Sequence, residues 1–378
     1  MAVSEDRVRA LQRRAVVVDG HADTLWRVLD EGADITVRSS SGHIDVPRLL
    51  EGGVDAQVFS LWASSAYEEQ EYIRRCLRLI DALHRTIGRG GGRIFLATTP
   101  DDIRRADREG RVAALMGIEG GHAIGSDLAV LRMFQRMGVR LMTLTWSIHT
   151  PWADSSSGRP AAHGLTAFGV KVVEEMNRMG MIVDVSHLSD DTFRDVLAAS
   201  RAPVVASHSC CRALCDVPRN LDDEMLRALA KNGGVVMINF YPAFLDPAFG
   251  NAVDAAEASM REQFKAAAAE ATFDPIAREA RMWDLHRRAQ AGVEPPPLDR
   301  VLDHIDHVVE VAGVDHVGLG SDFDGITRTP RGLEDVTKVP SITRGLIERG
   351  YTDEEVMKIL GGNFMRVFDQ VTRIAADR

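Results

Sequence analysis

Residues 181–208, MIVDVSHLSDDTFRDVLAASRAPVVASH, decide the fold. They hold a short apolar run that closes on His187, an amphipathic stretch opened by Ser189, and a second apolar run that closes on His208. Two strand-length runs joined by a helix-length amphipathic segment form a βαβ unit, and such a crossover pairs its strands in parallel. Ser189 stands where a helix N-cap is wanted, its side-chain oxygen available to an unpaired N–H of the first turn.

The same rhythm runs outward in both directions. Strands are expected at Val16–Asp23, Val54–Ala63, Val112–Glu119, Val139–Trp146, Met181–His187, Pro203–His208, Gly234–Phe240 and His316–Phe323. Helices are expected at Glu68–Ile87, Asp127–Met137, Leu165–Met179, Ser189–Ala199 and Asp222–Lys231, with Asp222 as a second N-cap. Eight parallel strands close a barrel, so the expected fold is an α/β protein of the (β/α)8 TIM-barrel type. Residues 241–299 are too many for one βα loop, and their middle is rich in Ala and Glu. They are read as a helical insertion after strand seven, placed to cover the barrel mouth. The run Pro295-Pro296-Pro297 ends it, and a helix over Leu298–Ala312 leads into the last strand. Residues 1–378 then make a single barrel domain decorated by the insertion.

Composition removes several function classes. The 45 Lys and Arg against 55 Asp and Glu leave a net charge of -10, which disfavours a nucleic-acid partner. No run approaches the roughly 18 apolar residues of a membrane span, and the N-terminal residues scatter charge where a signal peptide needs an apolar core. No membrane association is expected, and the expected setting is cytoplasmic. Cys76, Cys210, Cys211 and Cys215 crowd three thiols into one loop, a poor disulfide framework that fits a reducing compartment.

Barrel enzymes carry their reactive groups at the C-terminal ends of the strands. Here strand one ends in Asp19-Gly20-His21-Ala22-Asp23, strand three in Glu119, strand five in Asp184-Val185-Ser186-His187, strand six in Ser207-His208-Ser209 and strand eight in Ser321-Asp322-Phe323-Asp324. His21 and Asp23 are two residues apart, so an extended strand points both to one face. Each histidine alone is more often a satisfied core residue. Together, three imidazoles and the carboxylates of Asp23 and Glu119 make an N and O donor set suited to zinc, and a carboxylate can bridge two ions. A two-metal hydrolytic site follows. Asp322 is the candidate for proton transfer to and from the attacking water and the leaving amine, with a capping role as the alternative. Asp324 is read as structural or supporting.

These blocks resemble the renal, or membrane, dipeptidases of the amidohydrolase superfamily. The resemblance runs from Val18-Asp19-Gly20-His21-Ala22-Asp23 through Gly117-Ile118-Glu119-Gly120-Gly121-His122, Thr143-Leu144-Thr145, Pro151-Trp152-Ala153-Asp154, Arg219-Asn220 and Gly320-Ser321-Asp322-Phe323-Asp324-Gly325 to Gly361-Gly362-Asn363-Phe364. It implies a metal-dependent hydrolase barrel with two Zn2+ ions, His21 and Asp23 on the first, His187 and His208 on the second, and Glu119 bridging. It implies that a metal-bridging water attacks the peptide bond of a dipeptide, L,D-dipeptides included, with Asp322 as proton shuttle. Arg219 then holds the substrate carboxylate, where a bidentate guanidinium fits, a local surface salt bridge being the alternative. A homodimer is implied as well. One position departs from the pattern: Trp146 stands where the mammalian enzymes carry a histidine thought to polarise the scissile carbonyl. An indole N–H donates one hydrogen bond and never becomes a cation, which leaves His149 as a second candidate for contacting that oxygen. Two other readings keep the metals: hydrolysis of another amide, such as an N-acyl amino acid or a β-lactam, and a metal-binding protein without catalysis.

Overall fold

The structure, a computed structural model, describes residues 3–269 and 274–377. Among these residues nine strands form one all-parallel sheet: β1 (Val18–Ala22), β2 (Ala56–Trp62), β3 (Ile94–Leu96), β4 (Val112–Glu119), β5 (Val139–Thr143), β6 (Ile182–Asp184), β7 (Val205–Ser209), β8 (Val235–Ile238) and β9 (Val317–Leu319). β1 pairs with both β2 and β9, and β2 pairs with β4 in unbroken register from Ala56 opposite Ala113 to Trp62 opposite Glu119. With β4 through β9 each paired to the next, eight strands close on themselves, which is the expected (β/α)8 barrel.

β3 is the ninth strand and lies outside that ring. It pairs only with Val112–Ala114 at the start of β4, on the edge that β5 takes over from Met116. Neither β3 nor the helix Pro100–Glu109 behind it was expected. The strand has three residues, too few for a period, and the helix buries only Pro100, Ile103 and Ala106 among charged neighbours. The signal for that helix is its start, where Thr99 and Asp102 form a reciprocal capping box. The expected strand over Val139–Trp146 stops at Thr143.

The expected helices form within a few residues of their predicted ends. Ser189 and Asp222 cap theirs as read, accepting from the N–H groups of Thr192 and Met225. Inside the barrel the period of two sorts the side chains. Val58 of β2, Ala113 and Leu115 of β4, Leu141 of β5, Val205 of β7 and Val235 and Met237 of β8 share one apolar cluster. The same cluster includes Phe364, Val367, Phe368 and Val371 of the helix Asn363–Ala376. Packing there is tight enough that a Cβ on Gly320 would lie 1.9 Å from the Ser207 carbonyl oxygen, so only glycine fits. Two residues further along β2, β5, β7 and β8 the same inward face turns polar, at Ser60, Thr143, Ser207 and Asn239, and on β4 it does so at Glu119, which is where the site begins.

The insertion is helical: Pro242–Leu245, Pro247–Ser259, Arg261–Ala269 and Pro275–Gln290, with residues 270–273 outside the described set. Its longest helix straddles several loops at the C-terminal rim. Glu279 accepts from Ser64 after β2, Trp283 packs edge-on against Trp26 after β1 at 5.7 Å, and Gln290 bonds Tyr241 after β8 and Thr327 after β9.

Candidate metal centre

β4 carries Glu119 to the rim on the face that holds Ala113 and Leu115 lower down. Its two oxygens face different partners. Oε2 lies 3.5 Å from His21 Nε2 and accepts from Ser60 Oγ at 3.1 Å; Oε1 lies 3.1 Å from His187 Nε2 and 3.6 Å from His208 Nε2. Asp23 Oδ2 sits 3.3 Å from His21 Nε2, as the two-residue spacing required. His187 and His208 bring their Nε2 atoms within 2.9 Å of each other, and the His21 and His208 rings stack at 3.8 Å. All five predicted ligands are therefore gathered, each at most 8% exposed. Asp322 joins them: its carboxylate, with His21 and Asp23, places three donor atoms within 4.8 Å of one another.

Two of these residues hold the left-handed backbone conformation that side chains other than glycine's rarely adopt: His187 at φ 65° and Asp322 at φ 61°. Hydrogen bonds pin both. The His187 carbonyl accepts from Ser156 N and Thr145 Oγ1, and Asp322 N donates to the His21 carbonyl. Asp322 Oδ2 accepts from Asn239 Nδ2 at 2.9 Å, and Asn239 is itself held by Tyr241 N at its Oδ1. Asn239 and Ser60 were missed from the sequence. Asn239 is the one polar residue in the run 234–240, and Ser60 shares β2 with the polar Gln57; a polar residue in a mostly apolar run was the only signal available.

The electrostatics show a cluster short of positive charge. Burial raises Asp23 to about 6, and Glu119 adds to the rise while His21 opposes it. Burial likewise lifts Asp322 to about 7, against His21 and with Asp23 and Glu119. Burial opposes charging His21 too, yet Glu119 and Asp23 together carry it well above the ordinary imidazole value. Burial, reinforced by Arg219, pushes His187 down to about 4, and burial with His21 and then Arg219 pushes His208 well below its ordinary value, which keeps both rings neutral, the form that ligates metal. Asp23 Oδ1 is buried with no hydrogen-bond partner. Neutral ring nitrogens facing each other, a carboxylate oxygen on either side and an unpartnered buried oxygen are satisfied together by divalent cations. The donor set fits zinc.

Arg219 is 9% exposed and reaches the same mouth, donating from Nη1 to Ser209 Oγ and from Nη2 to the His208 carbonyl, both at 2.8 Å. Its Nε is buried without a partner. It is no surface salt bridge: among the described residues no carboxylate comes within ion-pair reach of it. Trp146 packs edge-on against Trp62 at 5.2 Å, beside the Glu119 strand end. His149 instead turns into its own loop, its Nδ1 accepting from Ser155 N at 3.0 Å and lying 3.4 Å from Asp154. Asp324 serves as a strut, accepting from Thr24 Oγ1 and His43 N, each at 2.7 Å.

A family model described as membrane dipeptidase (peptidase family M19) matches residues 5–378. Dipeptidase 3 of Homo sapiens is 36% identical over 379 residues, covering 97% of this chain and 67% of that protein. Dipeptidase 3 of Mus musculus is 34% identical over 386 residues, covering 98% and 68%. The probable dipeptidase PvdM from Pseudomonas aeruginosa shares the fold at a TM-score of 0.85 with 28% identity, covering 98% of each chain. A metallo peptidase from Rhodobacter sphaeroides, liganded with a phosphinate mimic of the dipeptide L-Ala-D-Ala, does so at 0.77 with 27% identity, covering 94% of this chain and 99% of that one. Matched from end to end, the chain belongs to the membrane dipeptidase family (peptidase family M19) and is a metallo-dipeptidase on a (β/α)8 barrel.

Proposed function

We propose that the centre holds two zinc ions, the first on His21 and Asp23, the second on His187 and His208, with Glu119 shared between them. The observation that carries this reading is the division of Glu119, one oxygen toward His21 and the other toward His187 and His208. Zinc bound there supplies an activated water and a polarised scissile carbonyl. The rest falls to the protein's own groups. Arg219 receives the C-terminal carboxylate of a dipeptide, which supports a substrate of two residues. Asp322, aimed by Asn239 at the first-metal ligands, takes the proton of the attacking water and returns it to the leaving amine. The insertion helix that joins the loops after β1, β2, β8 and β9 limits access of bulk water.

The substrate range of this reading includes L,D-dipeptides, supported by the family and by the ligand of the Rhodobacter sphaeroides relative. A homodimer, implied by the family alone, is read directly by light scattering. The mechanism is tested by Asp322→Asn, assayed on paired L,L and L,D dipeptides beside elemental analysis. Turnover falls by about 10²- to 10⁴-fold, the usual worth of a general acid-base group, while zinc content holds. Unimpaired turnover in that variant removes the proposed role.

A further inference from the structure

We propose that Ser207 and Asp184 are positioning residues for the second metal: a hydrogen-bond relay from the Asp184 carboxylate through the Ser207 hydroxyl fixes the His208 tautomer that offers Nε2 to the ion. The inference rests on the metal reading above and extends it to the groups that choose between the two ring nitrogens.

Asp184 is wholly buried at the end of β6 and is surrounded by donors. Its Oδ1 accepts the N–H groups of Ser186 and Ser207 at 3.0 and 2.9 Å, and its Oδ2 accepts the hydroxyls of Thr143 and Ser207 at 2.5 and 2.6 Å. A carboxylate only accepts, so the single proton of the Ser207 hydroxyl is committed to Asp184. What Ser207 presents to its other neighbour, His208 Nδ1 at 2.7 Å, is a lone pair. Nδ1 must then carry the ring proton, and the free lone pair of His208 is on Nε2. That atom faces His187 Nε2 at 2.9 Å and Glu119 Oε1 at 3.6 Å.

The backbone of the same residue is held as firmly. His208 N donates to Ser186 Oγ at 3.0 Å, and its carbonyl receives Arg219 Nη2. The proposed metal ligand and the proposed substrate anchor thus share one residue, and the relay braces both. His187 is built differently: its Nδ1 is buried with no partner among the described residues, so it has no comparable brace there. A purely structural role, tying β5, β6 and β7 together, would be lost as stability and would weaken both ions alike. A positioning role is selective, because groups behind a metal ligand typically set 10- to 100-fold in affinity at that ligand's ion.

The test is zinc titration of the metal-stripped full chain against a competing chelator. The wild type takes up two ions. Ser207→Ala binds the second about 10- to 100-fold more weakly and leaves the first unchanged; Ser207→Thr, which keeps the hydroxyl, restores it. Equal loss of both ions in Ser207→Ala, or wild-type binding of both, overturns the proposal. A wild type that takes up no zinc overturns the metal reading itself and this one with it. If Ser207→Ala fails to fold, the ¹⁵N histidine spectrum of the wild type decides, with the His208 signals assigned by their loss in His208→Gln. A proton on Nδ1 sustains the relay, and a proton on Nε2 ends it.

Discussion

Replacing Arg219 with Met tests the proposed recognition of the substrate carboxylate apart from every other function of the site. The guanidinium is buried, makes hydrogen bonds only to Ser209 Oγ and the His208 carbonyl, and has no carboxylate in ion-pair reach among the described residues. Both acceptors keep a second partner without it, Ser186 Oγ for Ser209 and Asn239 Nδ2 for His208. Two charge-assisted hydrogen bonds are worth about 1.5–3 kcal/mol each, and burying an uncompensated cation costs several kcal/mol, so the two largely offset and the fold loses little. Truncating one partner of a buried charge pair, by contrast, costs about 2–5 kcal/mol. For a dipeptide anchored by its carboxylate this is a fall in kcat/KM of about 30-fold to several thousand-fold. The assay is a two-by-two comparison of wild type and Arg219→Met on a dipeptide and on the same dipeptide with its C-terminus amidated. Amidation should penalise the wild type by that factor and leave the variant nearly indifferent. A variant that loses the same factor on both substrates would refute the assignment, since the arginine would then be serving the site without touching the carboxylate.

Three further outcomes follow from the same geometry. A Cβ on Gly325 would lie 2.1 Å from Asp23 Oδ2 and 2.4 Å from Asp322 Oδ1, so Gly325→Ala should displace both carboxylates and lower kcat by about 100-fold, the usual cost of an ångström of misplacement; an unchanged kcat contradicts the placement of Asp322. Trp146→His should raise kcat more than it changes KM, because an imidazole can donate as a cation where the indole cannot, and a kcat at or below wild type would show that Trp146 is already matched to the carbonyl. Asp55, at the opposite end of β2 from the site, accepts from Val17 N and is raised by burial, with Asp107 assisting, from an ordinary 3.8 to about 7. Its native form holds the proton more tightly than the unfolded chain does, so its contribution to stability is present below pH 3.8 and is lost as pH rises to about 7, at most about 4 kcal/mol. Asp55→Asn keeps the acceptor and removes the titration, so its melting temperature should exceed wild type at pH 8 and converge with it near pH 4, and parallel curves would exclude the effect.

The barrel was legible because it rests on local periods, and the five residues proposed as ligands because each stands at or just past the C-terminal end of an apolar run. An alternation of two carries Glu119 to the inward face with Ala113 and Leu115, whereas His21 and His208 sit at register shifts in β1 and β7 and His187 three residues past the end of β6; closure of the ring then gathers them. β3 escaped because three residues carry no period, and its only sequence mark was the capped start of the helix that follows. His149 turns into its own loop for a related reason. Its distance along the chain from Trp146 is short, but the chain leaves the strand at Thr143, and the loop uses the imidazole to hold Ser155.

The brace behind the ligands was illegible for another reason. Asp184, Ser207, Thr143 and Asn239 were all visible as polar letters in apolar runs, but which of them meet is decided by register between strands distant in sequence. Ser207 finds Asp184 because β6 pairs with β7 with Asp184 opposite Val205, and Asn239 finds Asp322 across a gap of 83 residues. Polar residues in such runs violate the local rule that the inward face of a strand is apolar, and a buried carboxylate is tolerable only when saturated with donors. Asp19 obeys the same condition, accepting from Ser321 N and Oγ across β1 and β9 as Asp184 accepts from Ser207 across β6 and β7. The two carboxylates stand two residues before His21 and three before His187, so each proposed metal position begins from a buried aspartate tied to a serine on the next strand of the ring. Of these two serines only Ser207 reaches the ring nitrogen of a proposed ligand, His208, and that asymmetry is why the proposed second ion, and not the first, should depend on its serine.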